Sequence, residues 1–285
     1  MTPELFIRYT ERVPKTRPDI LYKYVDLTTA WESLQGSTLA FTPASRFNDP
    51  FDANPVIDMD LRDEEFESLW EKSSSAKAMS LQEFIRRMRT NIPVAEAELK
   101  RHVDSMNNLT FGAVCFTAHP NAPLMWAHYA GRHKGMIIGY DSNYGEMKKT
   151  SPVAYQTNRH ALRLGEAFDG TYLRIKNKVW EPEDEWRLIA RLDACEVKMR
   201  GEAPIFVYPV GKEAVVCIKF GCRTPGDFKV ALANSIKKWG YLRCQMIEVM
   251  QCEKTYELRE EPYLLPLERA ALDAQGLHGE SLGAE

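Results

Sequence analysis

The sequence lacks the short motifs by which several large enzyme families are recognised. It has no G-x-x-x-x-G-K-[ST] loop, no G-x-G-x-x-G after a strand-like run, no H-E-x-x-H and no G-x-S-x-G. Those motifs supply a phosphate cradle, a pair of zinc ligands or an exposed nucleophile. Their absence argues against Walker-type ATPases, ordinary dinucleotide-binding dehydrogenases, zinc proteases and α/β-hydrolases.

Long apolar runs and an excess of positive charge are missing too. No run approaches the roughly 20 apolar residues of a membrane helix, and residues 1–19 contain no signal-like stretch. Lys plus Arg is 37 and Asp plus Glu is 40, whereas proteins that coat nucleic acid are usually basic. We therefore expect a cytoplasmic protein with no membrane partner and no bulk nucleic-acid binding.

None of the six cysteines forms a C-x-x-C pair. Cys115, Cys195, Cys217 and Cys244 lie in or beside apolar, strand-like runs, where free cysteine is usually a buried core residue. Zinc ligands are spaced more closely than these residues. We expect reduced cysteines and no metal.

Hydrophobic residues make up 44% of the chain, enough for a packed core. Ile20–Val25 and 37–42 read as strands, joined by a short helix that Thr28 or Thr29 caps and Gly36 ends. Further strands are predicted at 111–116, 135–140, 153–155, 185–190, 203–210, 214–220 and 244–250, and the strand at 244–250 is predicted to be the last of the chain. Helices are predicted at 121–129, where Asn121 is the expected cap, and at 225–239.

Residues 60–108 differ from the rest because they are charged and helical in period, with Ser73–Ser75 separating two helices and a third following. We predict an N-terminal arm at 1–19, one domain at 20–265 with a helical insertion at about 57–110, and a tail at 266–285. The fold class predicted is α+β, with a split or strongly bent mixed or antiparallel sheet and flanking helices.

The run Arg46-Phe47-Asn48-Asp49-Pro50-Phe51-Asp52 predicts a rigid turn, because the residue before proline is pushed out of helical geometry. Such a loop can present Arg46, Asn48, Asp49 or Asp52 to a ligand. It can equally be a purely structural turn.

Two aromatic groups are candidate stacking surfaces. Trp126, His128 and Tyr129 follow one another in a helix-like run and could line a pocket for a flat ligand. On the first strand Tyr22 and Tyr24 share one face, and Lys23 points to the other. Core packing explains both groups equally well.

Acidic residues concentrate between Lys178 and Arg187. In an extended segment Glu183 and Glu185 point the same way, with Arg187 continuing that face. Two carboxylates on one face raise each other's pKa unless a cation lies between them. The pattern suits a general base or the stabilisation of a sugar cation; the structural alternative is an exposed edge strand.

These blocks together resemble a bacterial family known only as domain of unknown function 2971. The resemblance spans roughly 20–250, and the segments that carry it are LYKY at 21–24, FNDPFD at 47–52, CFT at 115–117, LMWAHYAGRHKGMIIGYD at 124–141, K-x-W-x-x-E-x-E-W-R at 178–187 and KFG at 219–221. The family label implies no activity.

The order of elements is also similar to that of ADP-ribosyltransferases, which hold NAD in a split-sheet cleft. In those enzymes the second strand supplies a Ser or Thr, and the resemblance implies that Thr42 is that residue here. It also implies that Glu185 is the catalytic residue and Glu183 the second acid. The first strand has Lys23 or Tyr24 where those enzymes have His or Arg.

Three hypotheses follow. The first is an NAD-consuming transferase or glycohydrolase that uses NAD as co-substrate, with a protein or nucleic-acid acceptor and a role as a bacterial toxin or phage-defence effector. The second is a nuclease or phosphodiesterase whose acids hold Mg²⁺, with Lys178 near the phosphate; those acids are Asp49, Asp52, Glu183 and Glu185. The third is a non-catalytic module that senses a nucleotide-like small molecule.

Overall fold

The computed structural model describes residues 15–72, 78–163 and 170–274. Helices and strands are mixed along the chain, and the pairing includes both parallel and antiparallel strands. The predicted α+β class with a mixed sheet and flanking helices is confirmed. Parts of the predicted arm and tail, and the Ser73–Ser75 separator, lie outside the described residues.

The strands, in chain order, are β1 (Ile20–Val25), β2 (Thr38–Pro43), β3 (Val56–Asp58), β4 (Phe111–Thr117), β5 (Met136–Asp141), β6 (Ser151–Pro152), β7 (Ala154–Gln156), β8 (Ala161–Arg163), β9 (Ile175–Asn177), β10 (Glu185–Arg191), β11 (Glu196–Arg200), β12 (Ala203–Pro209), β13 (Val215–Phe220), β14 (Gln245–Gln251) and β15 (Leu258–Pro262). The strand predicted at 244–250 is not the last of the chain, because β15 follows it and pairs with it antiparallel.

The α-helices are α1 (Leu27–Gly36), α2 (Asp63–Lys72), α3 (Leu81–Thr90), α4 (Ile92–Ser105), α5 (Pro123–Tyr129), α6 (Gly226–Trp239) and α7 (Pro266–Ala274). Helices α2, α3 and α4 fall inside the segment predicted as a helical insertion. Within the described residues, no helix has both the length and the apolar character needed to cross a membrane.

Two helix caps differ from the sequence prediction. Asp26, not Thr28 or Thr29, caps α1, and its carboxylate accepts a hydrogen bond from the Thr29 N–H at 2.7 Å. Aspartate is a good cap because its short side chain reaches the unpaired amides of the first turn. Helix α5 begins at Pro123 and no side chain caps it, so Asn121 does not have the predicted role.

The contacts divide the chain into two compact units. Of the described residues, unit 1 takes Lys15, 40–114 and 151–208, and unit 2 takes 16–39, 115–150 and 209–274. Each unit is therefore assembled from separate stretches of sequence.

Unit 2 is built around β1, β5, β13, β14 and β15. Strand β5 lies antiparallel to β1 and to β13. Strands β13 and β14 are parallel, and α6 connects them, as a parallel pair requires a crossover. Gly240 ends α6 in the left-handed conformation, at φ 82°, which glycine adopts without a steric penalty.

Unit 1 combines short paired strands with the three insertion helices. Strand β10 pairs with β6, β11 forms an antiparallel pair with β12, and β3 and β7 pair in parallel with β8 and β9. A buried apolar cluster that includes Val103, Phe111 and Ile189 joins helix α4 to strands β4 and β10. Strand β10 is buried at every position except its last, although it carries Glu185 and Arg187.

Candidate functional site

The candidate site of unit 1 begins with an ion pair between β10 and the predicted turn. The Arg187 guanidinium donates from Nη1 and Nη2 to the two oxygens of Asp52, at 2.9 and 2.5 Å. Its Nη1 also donates to the Leu173 carbonyl at 2.6 Å. Both charged side chains are almost completely buried. Because a buried charge needs a partner, this pair fixes the turn to the strand.

Glu185 extends the pair into a network. Its Oε1 accepts a hydrogen bond from Arg187 Nε at 2.6 Å, and its Oε2 accepts one from Lys176 Nζ at 2.9 Å. Lys176 also donates to Glu183 Oε2 at 2.6 Å. We call these five side chains the charge network; they are Asp52, Lys176, Glu183, Glu185 and Arg187.

The two glutamates meet at Lys176 by a different route from the one predicted. Glu183 ends a 3₁₀ helix at Lys178–Glu183, and Asp184 has the left-handed φ of 45°. The segment is therefore not extended, and the alternative of an exposed edge strand is wrong, because β10 is buried at every position but its last. Arg187 contacts Glu185, but Lys176 is the cation that contacts both glutamates.

The environment of Lys176 keeps its ammonium charged. Burial, the largest effect, works to lower the pKa of Lys176, but the combined effect of Glu185 and Glu183 is greater, and the pKa is raised. Lys176 Nζ also lies 5.0 Å from the centre of the Trp180 ring. The site therefore holds a fixed positive charge between two carboxylates.

A second contact ties the turn to the same segment. Trp180 Nε1 donates to Asp49 Oδ2 at 2.6 Å, while the Phe51 N–H donates to Asp49 Oδ1 at 2.9 Å. The Phe47 ring lies against the Arg187 guanidinium, 4.9 Å from centre to Cζ. The turn is thus both self-bonded, as the structural interpretation expects, and joined to the charge network.

Tyr155 supports the start of β10. Its hydroxyl accepts a hydrogen bond from the Glu185 N–H at 2.8 Å. Burial, chiefly, raises the pKa of Tyr155. The Tyr155 phenol is therefore neutral where it contacts the backbone N–H of Glu185.

Two open pockets of unit 1 adjoin the network. The space inside the first, which we call the amide pocket, is about 610 Å³ when the solvent at its open side is included. Its lining residues are Phe51, Ala53, Asn54, Pro55, Gln156, Thr157, Asn158, Arg159, His160, Tyr172, Ile175, Lys176 and Asn177. Lys176 thus belongs to both the pocket and the charge network.

The space inside the second, which we call the acidic pocket, is about 670 Å³ when the solvent at its open side is included. Its lining residues are Ala44, Ser45, Phe47, Asp49, Pro50, Asp52, Ala53, Asn54, Asp104, Asn107 and Asn108. Across the described parts of the chain, no group of three or more His, Cys, Asp or Glu side chains could hold a metal ion. The acids named for a metal-dependent nuclease therefore do not form such a group.

The other predicted residues of unit 1 lie at its surface. Thr42 is exposed on β2, opposite Ala113 of β4. Arg46 is exposed and donates from Nη1 to the Pro204 carbonyl at 2.9 Å. Asn48 is exposed in the turn. The role of Thr42 toward NAD and the roles of Arg46 and Asn48 toward a ligand stay predictions.

The predicted residues of unit 2 form an aromatic group of their own. Trp126 is completely buried and meets the Tyr24 ring edge-on, at 5.3 Å between centres. The Tyr24 hydroxyl donates to the His119 carbonyl at 3.1 Å. The Trp126 ring also stacks with His133, at 6.3 Å. This arrangement matches the core-packing interpretation of the Tyr24–Trp126 pair.

The remaining members of that group are more accessible. Lys219 Nζ lies 5.0 Å from the centre of the half-buried Tyr22 ring, and Lys23 Nζ lies 6.0 Å from the Phe116 ring. His128 is exposed and Tyr129 is half-buried. That these rings and the glutamates line one cleft stays a prediction.

Sequence reasoning missed Lys176, Tyr155 and Arg159. The signal for Lys176 is weak: it follows Ile175 and the apolar pair at 172–173, where a buried charge would need partners, but Arg174 and Lys178 lie close by in the sequence. Lys178, which sequence reasoning placed near a phosphate, is exposed. Tyr155 and Arg159 lie in a short segment whose partners are distant in sequence, so no local pattern marks them.

No curated protein and no solved structure matches the chain. A family model described as "Protein of unknown function (DUF2971)" matches residues 125–188. That range runs from the aromatic helix α5 to β10 and includes four of the five members of the charge network. The match supports the family expected from the sequence motifs, because residues 125–188 are similar to DUF2971.

Proposed function

We propose that unit 1 is an NAD-consuming catalytic site of the ADP-ribosyltransferase or NAD glycohydrolase kind, with Glu185 and Glu183 as its acidic residues. The observation that carries the proposal is the pair of glutamates held on one lysine beside an open pocket. NAD is the co-substrate, and water or a protein or nucleic-acid group is the acceptor.

The chemistry needs a fixed negative field near the ribose. When the bond between nicotinamide and ribose breaks, the electron pair stays with nicotinamide and positive charge develops on the ribose. The acceptor then bonds to the anomeric carbon and loses a proton. With water as acceptor the products are ADP-ribose, nicotinamide and H⁺. Preorganised carboxylates stabilise the developing charge without having to reorient.

Two features of unit 1 support this assignment. The contacts of Lys176 and Arg187 fix the orientation of Glu185, and the turn that carries Asp52 fixes Arg187 in turn. Lys176 lines the amide pocket and also contacts both glutamates, so a ligand bound in the pocket lies next to the residue that holds them.

The direct test is nicotinamide release from NAD, measured with purified full-length protein alone and with cell lysate as a source of acceptor. We expect release by wild type and a rate about 100- to 1000-fold lower for Glu185→Gln. Glu98→Gln, a change of an exposed carboxylate on α4, is the matched control and should keep the wild-type rate.

Circular dichroism and the thermal midpoint of each variant report folding. Absence of release by wild type, with and without lysate, would refute the proposal. Equal rates for wild type and a folded Glu185→Gln variant would remove Glu185 from the mechanism. NAD that binds and is recovered unchanged would favour the sensing hypothesis.

A further inference from the structure

A positively charged group, the Arg159 guanidinium, lines the amide pocket. Arg159 is exposed, and its Nε and Nη2 donate to the Asn54 carbonyl at 3.2 and 2.6 Å. In the part of the chain that the structure describes, no carboxylate pairs with this guanidinium. A guanidinium held by a neutral carbonyl keeps its full charge and further N–H donors, which suits a phosphate.

An exposed aromatic ring, that of Phe51, lies next to the Arg159 guanidinium. Phe51 is 58% exposed, although phenylalanine usually buries most of its surface. The Arg159 guanidinium lies 5.7 Å from the centre of the Phe51 ring, so the two groups occupy one end of the pocket. An exposed ring beside a cation is suited to stacking a planar heterocycle.

Side-chain amides supply the third element. Gln156, Asn158 and Asn177 line the pocket and are exposed. Asn177 uses its Oδ1 to accept a hydrogen bond from the Val179 N–H at 3.1 Å. Each amide offers both donors and an acceptor, the combination that reads the edge of a nucleobase.

We propose that the amide pocket binds a nucleoside monophosphate moiety, with the phosphate on Arg159, the base stacked on Phe51 and its edge against the amides. The inference rests on the proposed function and deepens it, because it assigns the nucleotide subsite next to the charge network. Lys176, which lines this pocket and contacts both glutamates, connects the subsite to the site of cleavage.

The test measures the dissociation constants of AMP, adenosine and ribose 5-phosphate by isothermal titration calorimetry. Wild type should bind AMP more tightly than either fragment. Arg159→Ala should weaken AMP about tenfold or more and leave adenosine unchanged. Phe51→Ala should weaken both AMP and adenosine about tenfold, since stacking on an aromatic ring is worth about 1–3 kcal/mol per base, and leave ribose 5-phosphate unchanged.

Two control variants change equivalent side chains elsewhere. Arg101→Ala removes an exposed guanidinium from α4, and Tyr256→Ala removes a fully exposed ring from unit 2. Both should bind AMP as wild type does. Thermal midpoints confirm that the variants at Phe51 and Arg159, both exposed, are folded.

The outcomes separate this inference from the proposed function. AMP that binds no more tightly than ribose 5-phosphate, or that is insensitive to both pocket variants, would overturn the inference. If NAD is cleaved and both pocket variants cleave it like wild type, the subsite is wrong and the function stands. If AMP binding follows the predicted pattern but NAD is not cleaved, the subsite stands and the function is wrong.

Discussion

Arg187 and Asp52, which are 135 residues apart in sequence, form a bidentate ion pair in the interior of unit 1. Removal of one partner from a buried pair leaves an uncompensated charge in a medium that solvates it poorly. The pair is therefore the contact on which the geometry of the candidate site most depends.

We predict that Asp52→Ala lowers the free energy of unfolding by about 3–5 kcal/mol, because Arg187 stays buried without its main partner. Urea denaturation measures the change. Asp63→Ala breaks the exposed ion pair with Arg89 and should cost less than about 1 kcal/mol. Equal losses of unfolding free energy in the two variants would contradict the claim that the Asp52–Arg187 pair is buried and the Asp63–Arg89 pair is exposed.

The cap of α1 gives a second prediction. Asp26→Ala removes the acceptor of the Thr29 N–H and should cost about 0.5–2 kcal/mol in the free energy of unfolding. Thr28→Ala alters an exposed residue that makes no cap and should stay within about 0.5 kcal/mol of wild type. A larger loss of unfolding free energy for Thr28→Ala than for Asp26→Ala would mean that Thr28, as expected from the sequence, caps α1.

Gly135 precedes β5 where no side chain fits. A Cβ there would lie 2.2 Å from the Val25 carbonyl oxygen and 2.8 Å from that of Ala130. Since both neighbours are backbone atoms, Gly135→Ala should destabilise the protein by about 1–3 kcal/mol or more, as seen by thermal unfolding. Gly226→Ala, at the start of α6 with no atom near the added methyl group, should be neutral or stabilising.

Tyr22 predicts a dependence of stability on alkaline pH. Burial, followed by the effects of Cys217 and Glu260, raises the pKa of Tyr22 from 10.0 to about 12. A folded-state pKa above the unfolded value stabilises the protein below pH 10, and this contribution is lost as pH rises to about 12. Denaturation of Tyr22→Phe at several pH values should therefore show a smaller loss of stability over that range than wild type shows. If stability falls with pH equally in wild type and Tyr22→Phe, the raised pKa of Tyr22 is contradicted.

Local patterns in the sequence predicted most of the elements. The β-forming residues at 20–25, the apolar run of β5 and the period of α6 each depend on near neighbours, and all three elements form as expected. Several short strands and β15 were not predicted; β15 is charged and lacks the run of β-forming residues that marks β1. The caps differ by a few residues because several polar side chains near a helix start can compete for the same amides.

The candidate site was predicted only in part, for a physical reason. Sequence reasoning named Asp52, Glu185 and Arg187 separately, but an ion pair across 135 residues has no local signature. Lys176 was missed because it lies between Arg174 and Lys178 in a polar stretch, and its burial between two glutamates depends on the fold. The chemistry of the pocket likewise depends on Phe51 and Arg159, which are 108 residues apart in sequence.

The assembly of each unit from non-adjacent stretches has a consequence for how the nascent chain matures. Asp52 leaves the ribosome long before Arg187 exists, by about ten seconds at the usual rates of synthesis. During that interval the Asn-Asp-Pro turn has no ionic partner, and part of unit 2 is made in between. Truncation before β10 therefore leaves neither unit complete, and translational pausing upstream of residue 187 prolongs the lifetime of the unpartnered aspartate.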